Sequence, residues 1–229
     1  SMFQMFYNAS SFNGSVLNWD VSNVEDMSYM FGNASAFNQP MGNWSTGKVK
    51  SMTQMFINAV SFNQPIGTWD VSNVESMNDM FYNATSFNQS LANWNTGKVT
   101  TMNQMFRNAI SFNGSVDSWA TSSVTNMVAM FCNASAFNKP VANWNVSSVE
   151  DMSYMFYNAS AFNQPMGNWN TGKVRSMFQM FYNASSFNGS VLNWDVSNVE
   201  DMSYMFGNAR SEEHTSELQS RVDISYAVF

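Results

Sequence analysis

The sequence contains one cysteine, one histidine and few charged residues, and these scarcities exclude several classes of protein. Cys132 alone cannot form an intrachain disulfide framework or a cysteine-based zinc site. Charged residues make up 11% of the chain and the formal net charge is −7, so the chain is a poor candidate for binding nucleic acid. Asn, Ser and charged residues interrupt every apolar stretch, so no membrane span is predicted.

The single histidine, His214, lies in the acidic stretch “RSEEHTSELQS” near the C-terminus. A histidine beside carboxylates is the usual starting point in a search for acid-base or metal chemistry. This stretch, however, resembles the translation of a sequencing-library adapter, and it interrupts a repeat directly after “MFGNA”. We therefore predict that residues 210–229 are a non-native or disordered tail. No catalytic residue, metal ligand or cofactor is predicted in the rest of the chain.

A tandem repeat with a constant period dominates the sequence. All eight tryptophans recur at equal spacing from Trp19 and Trp44 to Trp194, and the dipeptide MF keeps the same period. Such self-similarity is typical of a solenoid, in which each unit buries its apolar face against its neighbours. We predict a tandem-repeat solenoid of about eight units over residues 1–209. Because Ser1 already lies inside a repeat, we expect a fragment truncated at both ends.

The first part of each unit predicts a two-turn helix. From Met27, apolar residues follow at i+3, i+4 and i+7, which places them on one helical face. The residue before this helix always has a side chain that can accept a hydrogen bond from the first helical turn. These predicted N-terminal caps are Asp26, Ser51, Ser76, Thr101, Asn126, Asp151, Ser176 and Asp201.

An asparagine in every unit marks the predicted end of the helix, since this residue tolerates a left-handed conformation. The asparagine column comprises Asn33, Asn58, Asn83, Asn108, Asn133, Asn158 and Asn183, together with Asn8 and Asn208 at its two ends. Several of these residues also form N-x-S/T sequons, which are typical of glycosylated proteins. Asn58 and Asn108 keep the asparagine without the sequon, so a backbone role is the preferred interpretation.

The second part of each unit predicts a short strand and a loop. In residues 37–41, Phe37 and Met41 are apolar at the two ends, while Pro40 cannot donate to a ladder and so limits the strand. The following loop carries Trp44 and Val49, which we expect to be buried. The predicted fold class is an α/β repeat solenoid, leucine-rich-repeat-like, with a short strand, a loop and a two-turn helix in each 25-residue unit.

Clustered acidic residues are candidates for a calcium site. Asp20, Glu25 and Asp26 supply hard oxygens, but their spacing matches no calcium loop, and the next unit replaces Glu25 with Lys50. Opposite charges are therefore expected to stack between adjacent coils at this column, which discourages a slip of one unit. No metal site is predicted here.

Variable residues on the outer face are the candidates for binding a partner. We define the outer column as Tyr7, Gly32, Ile57, Tyr82, Arg107, Cys132, Tyr157, Tyr182 and Gly207. Tyrosine is favoured at interfaces because its ring buries area while its hydroxyl stays hydrated. The predicted partner-binding residues are Tyr7, Ile57, Tyr82, Arg107, Tyr157 and Tyr182. Cys132 is expected to be exposed in this column and chemically inert.

The units “MFGNASAFNQPMGNW” and “WDVSNVEDMSYMF” resemble the repeats of BspA-type leucine-rich-repeat-like bacterial surface proteins, a family also found in mycoplasma lipoproteins. This resemblance implies a cell-surface or secreted, non-enzymatic repeat protein that mediates adhesion or protein–protein interaction. The implied partner is an unknown protein or glycan at a cell surface. The alternatives are a carbohydrate-binding surface module and a passive spacer for another domain.

Overall fold

Stacked coils, one for each repeat of the sequence, make up the structure. The computed structural model describes residues 1–209. Within this range the residues at one position of each coil form parallel single-residue β-bridges to their counterparts in the adjacent coils, from Asp26 to Asp201. The predicted tail at residues 210–229, with His214, lies outside the described residues.

The predicted α/β solenoid with a helix and a strand in each unit is wrong. Residues 1–209 contain no helix, and their β structure consists of the isolated bridges alone. Each coil is built from successive turns and extended segments instead. The leucine-rich-repeat-like architecture therefore does not describe this chain.

The segment predicted to be helical divides its hydrogen bonds between two coils. The N–H of Tyr29 donates to the carbonyl of Thr53 in the next coil at 2.9 Å, whereas the N–H of Met30 donates to the carbonyl of Met27 at 3.2 Å. The same alternation continues through the following residues. In a helix, by contrast, each N–H group beyond the first turn would donate within the segment, to the carbonyl four residues earlier. Here alternate N–H groups point along the stack and join the coils.

Two left-handed residues in each coil impose this alternation. In the second coil they are Tyr29, with φ 58°, and Asn33, with φ 60°. Each is the third residue of a four-residue turn closed by a hydrogen bond, the position at which a type II turn requires a positive φ. Because a left-handed residue cannot continue a right-handed helix, these two positions prevent helix formation. The asparagine column is therefore left-handed as expected, but each asparagine is the third residue of a turn and does not end a helix.

The buried set was predicted correctly even though the helix was not. Met27, Met30, Phe31 and Ala34 have no exposed surface. Closely spaced turns bring these residues inward as a helix face would. The spacing of apolar residues in the sequence therefore identifies the core without distinguishing the two backbones.

Aromatic side chains stack in columns through the core. Phe31 lies on Phe37 of its own coil with ring centroids 3.9 Å apart and on Phe56 of the next coil at 5.7 Å. Trp44 is buried as predicted, and its ring is parallel to that of Trp69 at 6.0 Å. Its indole N–H donates to a backbone carbonyl of the preceding coil at 3.0 Å, so the polar atom of this side chain is satisfied inside the core. Val49 is also buried as predicted.

Side chains replace a backbone ladder where the short strand was predicted. The N–H of Asn38 donates to Oδ1 of Asn13 in the preceding coil at 3.0 Å, and Nε2 of Gln64 donates to Oδ1 of Asn38 at 3.0 Å. Residues 37–41 form neither a strand nor a hydrogen-bonded turn. Since Pro40 has no N–H to contribute, amide side chains make the connection between coils here.

Glycine substitutions at two buried alanines should separate the left-handed positions from the others. Ala129 has φ 53°, while Ala134 is not left-handed. Both changes delete a buried methyl, at about 0.8 kcal/mol, and add backbone entropy worth roughly 0.5–1 kcal/mol, but only Ala129→Gly relieves a left-handed strain of about 1–2 kcal/mol. We expect Ala134→Gly to lower the free energy of unfolding by about 1–2 kcal/mol and Ala129→Gly to leave it nearly unchanged. Urea unfolding followed by tryptophan fluorescence measures both, and equal losses would contradict the backbone assignment.

Candidate interaction surface

The outer column lies beside the asparagine column, at the second residue of the turn in which the asparagine is the third residue. Tyr7 is 39% exposed, and Ile57, Tyr82, Arg107 and Tyr182 are partly exposed. Tyr157, the remaining predicted partner-binding residue, is also partly exposed. The six candidates therefore share one face of the stack, as the constant period of the repeat requires.

The expectation that Cys132 is exposed in this column is wrong. Its side chain is only 4% exposed, because a short thiol in this column lies between the larger side chains of Arg107 and Tyr157. Burial raises the pKa of the Cys132 thiol, while the positive charge of Arg107 acts in the opposite direction. The raised pKa disfavours the thiolate and hence nucleophilic reactivity.

The outer column is crowded along the stack. A Cβ atom added to Gly32 would lie 2.8 Å from the ring of Tyr7 and 3.2 Å from the side chain of Ile57. A Cβ atom on Gly207 would lie 2.6 Å from the ring of Tyr182. At these two positions a larger side chain would therefore force the tyrosine ring of the preceding coil to move.

Two tyrosines that follow each other in the outer column, Tyr157 and Tyr182, pack against each other. Tyr157 and Tyr182 have ring centroids 5.3 Å apart with an interplanar angle of 9°. Tyr154 of the same face meets Tyr157 edge-on at 5.9 Å and Phe178 at 5.2 Å. Because each stacked ring covers a face of the other, this group presents ring edges and hydroxyls to a partner more than open ring faces.

A second group of the same face combines opposite charges. Nη1 of Arg107 donates to Oε1 of Gln104 at 2.8 Å, and its guanidinium carbon lies 5.7 Å from the ring centroid of Tyr82. Nε of Arg107 is buried without a hydrogen-bond partner among the described residues. Asp79 is half-buried nearby and accepts a hydrogen bond from Nε2 of Gln54 at 3.3 Å. Burial raises the pKa of Asp79, against the lowering effects of Gln54 and Arg107.

The residues predicted as N-terminal caps accept hydrogen bonds, although no helix follows them. Oδ1 of Asp26 accepts from the N–H of Ser28 at 2.9 Å, and Asn126, Asp151 and Asp201 accept in the same way from the residue two positions later. The serines at this column use their hydroxyls along the stack, as in the contact of Ser51 with Ser28 at 2.7 Å. These side chains stabilise the turn that begins at each β-bridge.

The asparagine column forms an amide ladder. Nδ2 of Asn33 donates to Oδ1 of Asn8 at 2.7 Å, and Nδ2 of Asn58 donates to Oδ1 of Asn33 at 2.6 Å. An amide has both a donor and an acceptor, so the same contact can recur in successive coils. The nitrogen that a glycan would modify is therefore already a hydrogen-bond donor inside the ladder.

Opposite charges stack between coils as predicted. Nζ of Lys50 lies 2.8 Å from Oε2 of Glu25, and Nη1 of Arg175 lies 3.0 Å from Oε1 of Glu200. The side chains of both pairs are exposed. Lys50 lowers the pKa of Glu25, and Glu25 raises that of Lys50. These exposed contacts favour the native register more than they add to stability.

The carboxylates of the acidic cluster near residue 25 accept hydrogen bonds from nearby groups. Asp20 accepts from the N–H of Ser22 at 3.0 Å, so each residue of the acidic cluster considered as a calcium site has its own contact. Residues 1–209 bring together no three His, Cys, Asp or Glu side chains that could hold a metal ion. The same residues include no helix long and apolar enough to cross a membrane.

Comparison with known proteins gives a family match over most of the chain. A family model described as “DUF285: Mycoplasma protein of unknown function” matches residues 1–119 and again residues 111–218. Two successive matches agree with a mycoplasma-type repeat protein. The comparison with curated proteins found no match.

Two aspartates should affect stability in opposite directions. Burial raises the pKa of Asp79 in the folded state. Ionisation of its carboxyl therefore lowers the free energy of unfolding as the pH rises from the unfolded-state pKa through the folded-state pKa. Hydrogen bonds from the Ser72 hydroxyl and N–H lower the pKa of Asp70, whose stabilisation is present above the unfolded pKa and lost on acidification. At neutral pH we therefore expect Asp79→Asn to raise the urea midpoint and Asp70→Asn to lower it. Both differences should shrink at about pH 3, and a shift of the same sign in both variants would contradict this assignment.

Proposed function

This chain belongs to the DUF285 family of mycoplasma proteins, and we propose that it is a non-enzymatic repeat protein that mediates adhesion or protein–protein interaction. The stack of coils supplies a long regular face that includes the variable outer column. We place the binding activity on the outer column, with Tyr157 and Tyr182 as its central contacts.

The observation that carries this proposal is that the backbone of the outer column does not depend on its side chains. The N–H groups of Gly32, Ile57, Arg107 and Cys132 all donate to the carbonyl three residues earlier, at 2.9 to 3.2 Å. These four residues differ in size, charge and polarity. A position that keeps its backbone geometry while its side chain changes is suited to presenting different contacts from the same scaffold.

The chemistry of the exposed side chains favours a protein partner over a carbohydrate. Tyr157 and Tyr182 stack on each other, which leaves ring edges and hydroxyls for contact. Sugar rings bind most readily to open aromatic faces, so the carbohydrate-binding alternative receives less support. Tyrosine and arginine, as at Tyr82 and Arg107, are frequent at the energetic centres of protein interfaces.

A position at the cell surface or in the medium fits this activity. The resemblance of the units to BspA-type surface repeats, a family also found in mycoplasma lipoproteins, supports such a location. The partner would then be a protein at the surface of another cell. A passive spacer would need no preserved contacts on its outer face.

Binding of the labelled full chain to intact cultured cells tests the proposal. We expect binding that protease treatment of the cells removes, and a decrease of about tenfold in affinity for the double variant Tyr157→Ser and Tyr182→Ser, as for loss of interface anchors. Leu17→Ser is the matched control, because Leu17 is 37% exposed and belongs to another column.

Flow cytometry over a concentration series measures these affinities. Absence of binding, or an equal decrease in the Leu17→Ser control, would contradict the proposal. Binding that survives protease treatment and is lost after removal of cell-surface glycans would favour the carbohydrate alternative instead.

A further inference from the structure

One face of the stack carries most of the positive charge of residues 1–209. Apart from Arg107 and Lys139, every lysine and arginine in this range belongs to one of two columns: Lys48, Lys98 and Lys173 in the first, and Lys50 and Arg175 in the second. All of these column members are exposed. Lys173 and Arg175 line one depression together with Glu150 and Asn198, so the two columns lie side by side. We name them the lysine column and the charge column, and together the charged face.

The signs of the charges in the charge column alternate, and their order is the same in both directions along the stack. The column comprises Glu25, Lys50, Glu75, Thr100, Thr125, Glu150, Arg175 and Glu200. Lys50 bonds to Glu25, and Arg175 bonds to Glu200. The carboxylates of Glu75 and Glu150 form no ion pair with another residue of the range 1–209, although each lies one coil from a cation. Two carboxylates of this face are therefore free to bind cations of another chain.

This symmetry allows the charge column to pair with the same column of a second copy that runs antiparallel. When the two columns are aligned without a shift, like charges meet, and Lys50 faces Arg175. A shift of one coil in either direction brings each cation opposite a carboxylate, because the charges alternate. In the shift centred on Thr125, Lys50 faces Glu200 of the second copy. By the same symmetry, Arg175 faces Glu75.

The lysine column selects between the two possible shifts. Its members are Asn23, Lys48, Asn73, Lys98, Ser123, Ser148, Lys173 and Asn198. A shift centred on Thr100 places Lys98 opposite Lys98 of the second copy, and these like charges repel. The shift centred on Thr125 places Ser123 opposite itself and Lys98 opposite Ser148. Two parallel copies would instead set Lys48 against Lys50. Of these arrangements, only the antiparallel one centred on Thr125 keeps like charges apart in both columns.

Small side chains surround the centre of this arrangement. Ala120, Ser122 and Thr125 are uncharged and exposed, and Ser123 is partly exposed. The hydroxyls of Ser123 and Thr125 donate to backbone carbonyls of the preceding coil at 3.0 Å and 3.3 Å. The two faces can therefore approach closely at the centre, while the longer lysine, arginine and glutamate side chains reach across on either side.

We propose that two copies of this chain associate face to face and antiparallel through the charged face, with a two-fold axis at Thr125. The contact uses the same surface of both copies, so it closes as a dimer. The pairs of Lys50 with Glu200 and of Glu75 with Arg175 each form twice across it. Exposed ion pairs are weak and are screened by salt, so the dimer is reversible and its dissociation constant rises with ionic strength. The contact uses no residue of the outer column, so it is separate from the proposed binding activity.

Charge reversal followed by sedimentation velocity tests the pairing. In low salt we expect the sedimentation coefficient of the full chain to increase with concentration. Either Lys50→Glu or Glu200→Lys should raise the dissociation constant about tenfold or more, because like charges then meet. A mixture of the two variants should dimerise again, since each glutamate of one variant then faces a lysine of the other. Lys139→Glu is the matched control, because Lys139 lies outside the charged face.

Recovery of the dimer in the mixture would also show that neither variant has lost its fold. A full chain that stays monomeric at all concentrations in low salt would overturn the proposal. Equal weakening by Lys139→Glu, or a mixture that stays monomeric, would do the same.

Disulfide trapping tests the position of the two-fold axis. Thr125→Cys and Thr100→Cys are introduced into separate chains that also carry Cys132→Ala, and each chain is oxidised alone. Both threonines are exposed in the same column. With the axis at Thr125, its two copies lie within disulfide reach, whereas the two copies of Thr100 are two coils apart, roughly 10 Å. We expect a disulfide-linked dimer from Thr125→Cys and little from Thr100→Cys. The reverse result, equal cross-linking, or no dimer from either chain would overturn this arrangement.

Discussion

The hydrogen bonds between adjacent coils are the constraint on which the rest of this structure depends. They form because every second N–H group of the turn segment points along the stack, as Tyr29 does toward Thr53 at 2.9 Å. That direction is possible because Tyr29 and Asn33 adopt left-handed conformations that keep the segment from closing into a helix. Local strain at these two positions is thus offset by bonds that only a stacked neighbour can provide. A single coil on its own would lack the apolar contacts of the core and the hydrogen-bond acceptors that the next coil provides for every second N–H group.

A fixed register between successive coils turns each side-chain position into a column. In a column of identical residues every contact repeats. A residue type is therefore favoured when its side chain can bond to, or pack on, the same side chain in both adjacent coils. Asparagine meets this condition because its amide both donates and accepts, as in the contacts of Asn33 with Asn8 and Asn58. Phenylalanine and tryptophan meet it by stacking on their counterparts. The strong bias of the composition therefore follows from the architecture.

The sequence identified the core and the repeat but not the backbone that connects them. Met27, Met30 and Phe31 were predicted to be buried and are, because consecutive turns and a helix bring nearly the same spacing inward. The predicted helix was wrong because the left-handed column that includes Tyr29 and Ala129 contains Gln, Tyr or Ala in every coil except that of Asp79, and these residue types do not favour a positive φ. Only contact with the neighbouring coil makes that conformation favourable. Tertiary hydrogen bonding outweighed local propensity at these positions.

The candidate surface was predicted in position but not in detail, and crowding between coils explains the difference. Sequence spacing put Tyr7, Ile57 and Arg107 in one column, and the structure agrees. It could not show that the ring of Tyr7 lies close over Gly32, or that the thiol of Cys132 is buried. Variation in the outer column is therefore coupled between neighbours. Gly32 and Gly207 lie under tyrosine rings, and Tyr182 stacks on Tyr157, so a substitution at one position changes the space that is left in the adjacent coil.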